Sequence, residues 1–256
     1  MSKSLSELQI CVEDDIELMG DRRIVYLKKT EGVIVDYDYF PAEDYEEAIT
    51  LKDLQEKLSV LSMTKDLEQK PNTAQKKLAV IFPGIGYTCD KPLLYYGIRL
   101  AKGKGYEVVT VDYKGFPPKV KGDTQKMEES LRIAKEQTVE ILKQQKWDEY
   151  DEIVFISKSI GTVAASWYAK EHKLSVKSVL MTPLTETYQY ADLPAIAFHG
   201  SQDPWADTEK IRRMSKEKEI PLYLTEGGNH SLETGEIEYD LNTLRNVMHT
   251  LESYLM

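Results

Sequence analysis

The sequence predicts an α/β protein with a doubly wound, mostly parallel sheet. From Leu78 onward, short runs rich in Val, Ile and Phe alternate with longer segments whose apolar residues recur every three or four positions. This alternation is typical of parallel strands joined by helices on both faces of a sheet. Hydrophobic residues make up 41% of the 256 positions, enough for a sizeable core despite a charged content of 30%.

Six strands are expected in this part of the chain, each a short apolar run bounded by polar residues, glycine or proline. The first is the run Leu-Ala-Val-Ile-Phe, which ends at Pro83 and Gly84. The strands are predicted at 78–82, 107–112, 152–156, 176–181, 195–198 and 220–225.

Helices are expected between these strands. In the segment 123–147, the apolar residues lie at steps of three and four, so one face is apolar and the opposite face is charged and solvated. Gly103 and Gly105 indicate where the helix before the second strand ends. The helices are predicted at about 93–101, 123–147, 163–168, 207–219 and 239–256.

The N-terminal part follows a different pattern. Residues 22–28 and 33–40 alternate enough to form two strands, which predicts a β-hairpin. At 43–69, leucines and isoleucines mostly follow helical spacing. The sequence therefore predicts a β-hairpin and helical extension, 1–75, packed on an α/β core at 76–256.

Charge and cysteine content narrow the class of protein. There are 33 Lys and Arg against 43 Asp and Glu, and the formal net charge of -10 disfavours nucleic-acid binding. Cys11 and Cys89 lack metal-ligand spacing and suit a reducing compartment. The N-terminus has no apolar signal core, and no run approaches the roughly 20 apolar residues that a membrane span needs. We expect a cytoplasmic protein with no metal site and no nucleic-acid or membrane partner.

The most informative motif is Ser157-Lys158-Ser159-Ile160-Gly161, between a predicted strand and a predicted helix. A serine on such a sharp turn is held clear of the sheet, and its neighbours must be small because the backbone passes close to itself. The usual pattern is G-x-S-x-G, and here Ser157 replaces the first glycine with a side chain small enough to fit. The motif alone is equally compatible with an ordinary helix N-cap.

Two later strand ends supply the residue types that complete such a site. The strand at 195–198 leads to Asp203, and the strand at 220–225 leads to His230. The chain order is therefore Ser, Asp, His, each at the C-terminal end of a predicted strand, where ligands bind in open α/β sheets. Taken singly, Asp203 is explained by an Asp-Pro turn and His230 by a loop position. The occurrence of Ser159, Asp203 and His230 in this order favours a catalytic role.

On these residues the chain resembles the α/β-hydrolase superfamily over 76–256. The resemblance implies Ser159 as nucleophile, His230 as general base and then acid, and Asp203 as the carboxylate that orients His230. A serine hydroxyl is a poor nucleophile until an imidazole accepts its proton, and the carboxylate fixes the imidazole tautomer. Glu186 is the reserve candidate for the acid.

The resemblance also implies backbone donors for the negative charge that develops on the substrate oxygen. One is the N–H of Ile160, directly after the nucleophile. The other lies in the loop Pro83-Gly84-Ile85-Gly86-Tyr87, which resembles an H-G-x-G loop with Pro in place of His. We assign this donor to Ile85, with Gly86 as the near alternative, although a plain glycine turn explains both glycines equally well.

Five residues near these motifs are weaker candidates for substrate contacts. Tyr87 and Tyr188 fit a pocket with amphipathic walls, although most tyrosines straddle core and water. Lys158 is suited to attract an anionic substrate, but an ordinary solvated lysine explains it equally well. Gly84 and Gly86 complete the set.

These predictions together favour a serine hydrolase, without a cofactor, that cleaves a small ester, thioester or amide through an acyl-enzyme. Its partner is then a small-molecule acyl substrate. The alternative is a non-catalytic ligand-binding or interaction protein on the same scaffold. Little room remains between Met181 and Ala195 for a helical lid, so the pocket is either open or covered by the extension at 1–75. We expect the extension to cover it, because its apolar helical face must be buried somewhere. A dimer arm, which would make a homodimer, and a side buttress remain open for this extension.

Overall fold

The computed structural model describes residues 75–256 and three short strands that precede them. The chain divides into two compact units, Met1–Thr73 and Ala74–Met256. In the first unit, an antiparallel sheet has the order β1-β3-β2, with β1 at Gln9–Cys11, β2 at Arg22–Tyr26 and β3 at Ile34–Asp38. The predicted hairpin is present as the β2–β3 pair, whereas β1 was not predicted. The predicted helix at 43–69 lies outside the described residues.

The second unit alternates strands and helices along its whole length. Its strands are β4 (Lys77–Phe82), β5 (Tyr106–Thr110), β6 (Glu152–Lys158), β7 (Lys177–Met181), β8 (Ala195–Gly200) and β9 (Leu222–Thr225). Its helices are α1 (Pro92–Gly103), α2 (Thr124–Leu142), α3 (Ile160–Glu171), α4 (Thr208–Glu217) and α5 (Ile237–Tyr254). Short 3-10 turns occupy Trp147–Glu149 and Thr185–Gln189.

The six strands of this unit form one parallel sheet in the order β5-β4-β6-β7-β8-β9. The prediction of a doubly wound sheet is therefore confirmed. The chain starts at β4, adds β5 on one side, and then returns past β4 to build outward from β6 on the other side. This reversal opens a crevice beyond the C-terminal ends of β4 and β6, where their connecting loops diverge.

Strand residues alternate between two cores because successive side chains point to opposite faces of a sheet. In β4, Ala79 and Ile81 belong to the core that includes residues of α1 and α5. Leu78, Val80 and Phe82 belong to the core that includes residues of α2 and α3. Burial on both faces explains why this strand appears in the sequence as a continuous apolar run.

Most element boundaries differ from the predictions by a few residues, and two of these differences have a clear physical cause. Helix α2 ends at Leu142 and not near 147, because the polar residues that follow offer no apolar position to continue its buried face. Strand β6 runs beyond 156 to Lys158, because its pairing with β7 continues through Ser157 opposite Leu180 and Lys158 opposite Met181. The second difference places Lys158 inside the sheet.

Within the described residues, no helix combines the length and the apolar character that crossing a bilayer requires.

Candidate active site

Ser159 occupies a sharp turn between β6 and α3. Its backbone has φ 57° and ψ −125°, which side-chain-bearing residues rarely adopt. Neighbouring groups hold this conformation: the Ser159 N–H donates to the carbonyl of Met181 at 3.0 Å, and the Thr162 hydroxyl donates to the Ser159 carbonyl at 2.6 Å. The turn lifts the serine hydroxyl clear of the C-terminal edge of the sheet.

Close backbone packing explains the small residues of the motif. A Cβ on Gly161 would lie 2.3 Å from the carbonyl oxygen of Phe82 and 2.5 Å from that of Pro83, so position 161 has no room for a side chain. Ser157 is fully buried, and its hydroxyl donates to the carbonyl of Val179 at 2.8 Å. The serine that replaces the usual first glycine is therefore accommodated by a bond to β7.

The structure brings Ser159, His230 and Asp203 into one hydrogen-bonded chain. The Ser159 Oγ lies 2.7 Å from the His230 Nε2, and the His230 Nδ1 lies 2.7 Å from the Asp203 Oδ2. A carboxylate can only accept, so Nδ1 carries the proton and donates it to Asp203. In the neutral imidazole this leaves Nε2 as an acceptor for the serine hydroxyl proton.

Two loops at the sheet edge bring Asp203 and His230 together. The Gln202 N–H, in the loop after β8, donates to the carbonyl of Gly228 at 2.9 Å in the loop after β9. The Asn229 side chain accepts from the N–H of Ser231 at 2.7 Å and so fixes the chain on both sides of His230. Because Asp203 occupies the partner position on Nδ1, the reserve candidate Glu186 is not the acid that pairs with His230.

Burial and charge shift the pKa of the His230 imidazole. Burial is the largest influence and lowers this pKa below 6.5, the bond to Asp203 raises it, and the charge of Lys158 lowers it further. The indole of Trp205 stacks on the imidazole with ring centroids 5.5 Å apart. The backbone N–H of Trp205 donates to the Asp203 Oδ1 at 2.9 Å. The lowered pKa favours the neutral imidazole, and Asp203 and Trp205 contact the ring from two sides.

A cavity of about 190 Å³ opens onto the Ser159 hydroxyl. Several residues of its wall were predicted: Ile85, Gly86, Tyr87 and Ile160, besides Ser159 and His230 themselves. Four others were not predicted to line it: Met127, Leu184, Trp205 and Ser231. Trp205 carries a usable signal, since it closely follows Asp203 in the same strand-end loop. Met127 and Leu184 come from distant segments, and nothing in the local sequence marks them.

The backbone around Ile85 leaves free donors beside this cavity. Gly84 and Tyr87 exchange backbone hydrogen bonds at 3.0 and 3.3 Å, which puts Ile85 and Gly86 at the tip of a tight turn. Gly86 has φ +68°, a conformation that favours glycine. Within residues 75–256, the N–H groups of Ile85 and Gly86 donate to no backbone carbonyl. Ile160 is the first residue of α3, so its N–H has no partner inside the helix.

The structure corrects both sequence interpretations of Lys158. Its side chain is neither solvated nor part of the cavity wall, but is 0% exposed. The Nζ donates to the carbonyl oxygen of His230 at 2.6 Å and lies 4.6 Å from the centre of the Tyr87 ring. The extension of β6 by two residues explains the burial, because it turns this side chain into the interior.

Two other residues predicted as weak candidates for substrate contacts, Tyr188 and Gly84, also do not line the cavity. Tyr188 is 3% exposed and its hydroxyl bonds the Ser215 hydroxyl at 2.6 Å, so it belongs to the core under α4. Gly84 lies close to the turn between β6 and α3, because a Cβ there would lie 3.0 Å from the Cβ of Ser159. Gly84 therefore packs against the turn at Ser159 and does not line the cavity.

His199 is a buried neighbour of the site that the sequence did not single out. It is 0% exposed, and its Nδ1 lies 3.6 Å from the Asp203 Oδ2. Its Nε2 lies 3.1 Å from the Thr208 hydroxyl. Burial lowers the pKa of His199, which favours a neutral ring beside the carboxylate.

Comparison with known proteins shows the fold. No protein-family model matches the sequence, and no curated protein matches it. Est1E from Butyrivibrio proteoclasticus, in a structure with ferulic acid bound, has a TM-score of 0.52 at 14% identity, covering 73% of this chain and 92% of that chain. The esterase Pf2001 from Pyrococcus furiosus has a TM-score of 0.49 at 13% identity, with 72% and 85% covered. XC6422 from Xanthomonas campestris, a member of the α/β serine hydrolases without a lid, has a TM-score of 0.46 at 13% identity, with 73% and 85% covered. The chain has the α/β-hydrolase fold.

Proposed function

We propose that this protein is a serine hydrolase that cleaves small esters, thioesters or amides through an acyl-enzyme. The observation that carries the proposal is the chain of two 2.7 Å contacts from Ser159 through His230 to Asp203. A serine hydroxyl needs an imidazole that can accept its proton, and the imidazole needs a carboxylate that fixes its tautomer. The strained turn at Ser159 and the lowered pKa of His230 both support this use.

In the proposed mechanism, the His230 Nε2 takes the proton as the Ser159 Oγ attacks the carbonyl carbon of the substrate. The tetrahedral intermediate collapses, His230 gives its proton to the leaving group, and the acyl group stays on Ser159. Water then attacks the acyl carbon while the His230 Nε2 takes its proton. When the second tetrahedral intermediate collapses, His230 gives this proton to the Ser159 Oγ, which releases the carboxylic acid and restores Ser159. Asp203 stays ionised throughout and stabilises the imidazolium.

The backbone N–H groups of Ile160 and Ile85 are the proposed donors to the developing oxyanion. Both residues line the cavity at Ser159, one from the start of α3 and one from the turn after β4. Gly86 remains the alternative to Ile85, because its N–H lies at the same tip. Fixed backbone dipoles of this kind act where charge develops, and loss of one typically costs about 2.7 to 4 kcal/mol of transition-state stabilisation.

The size of the cavity predicts a preference for short acyl groups. About 190 Å³ is small beside the roughly 300 to 1,000 Å³ of common ligand pockets, and Met127 and Leu184 give it apolar walls. We expect kcat/KM to be highest for acetyl to butyryl p-nitrophenyl esters and to fall for octanoyl and longer esters. Met127→Ala is expected to move this optimum to longer chains. Met214→Ala, a partly buried methionine in a different core, is the matched control.

An optimum that is unchanged in Met127→Ala, or that moves equally in Met214→Ala, would contradict the assignment of this wall. A parallel screen of acyl-CoA thioesters and aminoacyl amides distinguishes the three classes of scissile bond.

Activity is expected to persist to lower pH than an ordinary histidine allows. The neutral form of His230 is the proposed base, so kcat/KM falls as pH drops through its pKa. Because burial lowers that pKa, the midpoint of the acidic limb should lie below 6.5. The measurement is a pH–rate profile with an ester whose leaving group does not titrate. A pH–rate profile without an acidic limb, or an acidic limb with its midpoint above 6.5, would count against His230 as the base.

A further inference from the structure

The residue between Ser157 and Ser159 is a fully buried lysine, and the proposed proton relay does not use it. Burying an ammonium group is costly unless it is paired or hydrogen-bonded. Lys158 has two such contacts: its Nζ donates to the carbonyl oxygen of His230 at 2.6 Å and lies 4.6 Å from the Tyr87 ring centre. Both contacts lie at the candidate active site, so the desolvated ammonium group of Lys158 lies beside the proposed catalytic residues.

The position of Lys158 links nucleophile and base by a short path. Its peptide bond leads directly into Ser159, and its ammonium contacts the main chain of His230. Strand β6 fixes the lysine backbone through its pairing with Met181 of β7. One side chain thus spans the distance between the strand that carries the serine and the loop that carries the imidazole.

The surrounding charges keep the ammonium form accessible. Burial lowers the pKa of Lys158 to about 7, while the negative charges of Asp203 and Glu233 act in the opposite direction. The titratable groups that face it are Asp203, Glu233, His199, His230 and Tyr87. Its positive charge in turn lowers the pKa of His230.

We propose that Lys158 is a positioning residue, which holds the carbonyl oxygen of His230 and thereby sets the imidazole at bonding distance from the Ser159 hydroxyl. The proposal rests on the proposed serine hydrolase activity. A methionine or leucine at this position would fill the same space but would leave the His230 carbonyl without this donor. The loop after β9 would then be free to carry the imidazole away from Ser159.

The test is Lys158→Met, compared with the parent protein on the ester that the parent hydrolyses best. Misplacement of a catalytic group by about 1 Å can cost about 100-fold in rate, so we expect kcat to fall by about 10- to 100-fold with little change in KM. Lys158→Gln, an uncharged donor, is expected to keep more of the kcat than Lys158→Met. It also serves as the test variant if the methionine protein does not fold.

Lys177→Met is the matched control. Lys177 lies at the opposite end of neighbouring β7, where it pairs with Glu152 at 2.7 Å and reaches the carbonyl of Tyr254 at 3.5 Å. It is also a partly buried lysine that contacts a main-chain carbonyl, but it lies far along the strand from Ser159. A change at Lys177 is expected to alter stability without altering kcat or the pH profile.

A second measurement is independent of turnover. Because the Lys158 charge lowers the pKa of His230, an NMR titration should show a higher His230 pKa in both Lys158 variants than in the parent. The acidic limb of kcat/KM should move to higher pH by the same amount. A folded Lys158→Met protein with the parent's kcat and the parent's His230 pKa would overturn the proposal. If the parent hydrolyses none of the substrates, the proposed function fails, and the titration still decides whether Lys158 acts on His230.

Discussion

Asp203→Asn is expected to lower kcat by about 10⁴-fold, the size of loss that follows when a serine triad is left with the wrong imidazole tautomer. In the native site, the Asp203 Oδ2 accepts the Nδ1 proton of His230 at 2.7 Å. An asparagine amide turned toward His230 donates to Nδ1, so the ring proton moves to Nε2. Nε2 can then no longer accept the proton of Ser159.

The geometry of the site should survive this change, since the Trp205 N–H bonds the other carboxylate oxygen, which an amide oxygen replaces. Steady-state kinetics on the best ester measures the loss, and circular dichroism checks the fold. Asp192→Asn is the control: Asp192 is exposed, pairs with Lys218 at 3.0 Å and lies outside the Ser159 cavity. Retention of a tenth or more of parental kcat in Asp203→Asn would exclude Asp203 from the assigned role.

Gly161→Ala is expected to destabilise the second unit by about 3 kcal/mol or more, at or beyond the upper end of ordinary overpacking. The added methyl would lie 2.3 Å from the Phe82 carbonyl oxygen and 2.5 Å from the Pro83 oxygen. Both obstacles are main chain of β4 and the loop after it, so no side-chain rotation relieves the clash. Helix α3 must move away from the sheet instead, and Ser159 moves with it.

Tryptophan fluorescence during urea unfolding measures this effect selectively, because all three tryptophans, Trp147, Trp167 and Trp205, lie in the second unit. Gly103→Ala is the matched control, since a Cβ at the last residue of α1 meets no atom within 4 Å. We expect its stability to equal or slightly exceed that of the parent. Equal unfolding midpoints for Gly161→Ala and the parent would mean that the close approach of Gly161 to the main chain of Phe82 and Pro83 is not a constraint.

Local patterns were sufficient to predict most of the fold. The inner strands β4, β6, β7 and β8 are buried on both faces and so form contiguous apolar runs, whereas the edge strands β5 and β9 are partly exposed. Helix α2 shows the buried stripe that its spacing predicts. The boundary errors at β6 and α2 have a common cause. Pairing with a neighbouring strand and the loss of a buried face are properties of the assembled sheet, which a single segment does not display.

The candidate site was predictable where its residues end strands. Ser159, Asp203 and His230 each follow a strand in the chain order of the family it resembles, and the structure places them within hydrogen-bonding distance. The residues of the cavity wall were harder to predict, because Met127 and Leu184 reach it from distant segments. Lys158 was misinterpreted because a lysine is ordinarily solvated, and only the register of β6 against β7 reveals its burial.

The most direct test is covalent labelling with a fluorophosphonate, whose phosphorus is attacked by an activated serine with loss of fluoride. We expect the full-length parent to be labelled at a single peptide that contains Ser159, and Ser159→Ala to be unlabelled while keeping its circular dichroism spectrum. Labelling should also weaken in Asp203→Asn. A well-folded parent that does not react, or a Ser159→Ala protein that reacts as fast as the parent, would contradict the proposal that Ser159 is an activated nucleophile.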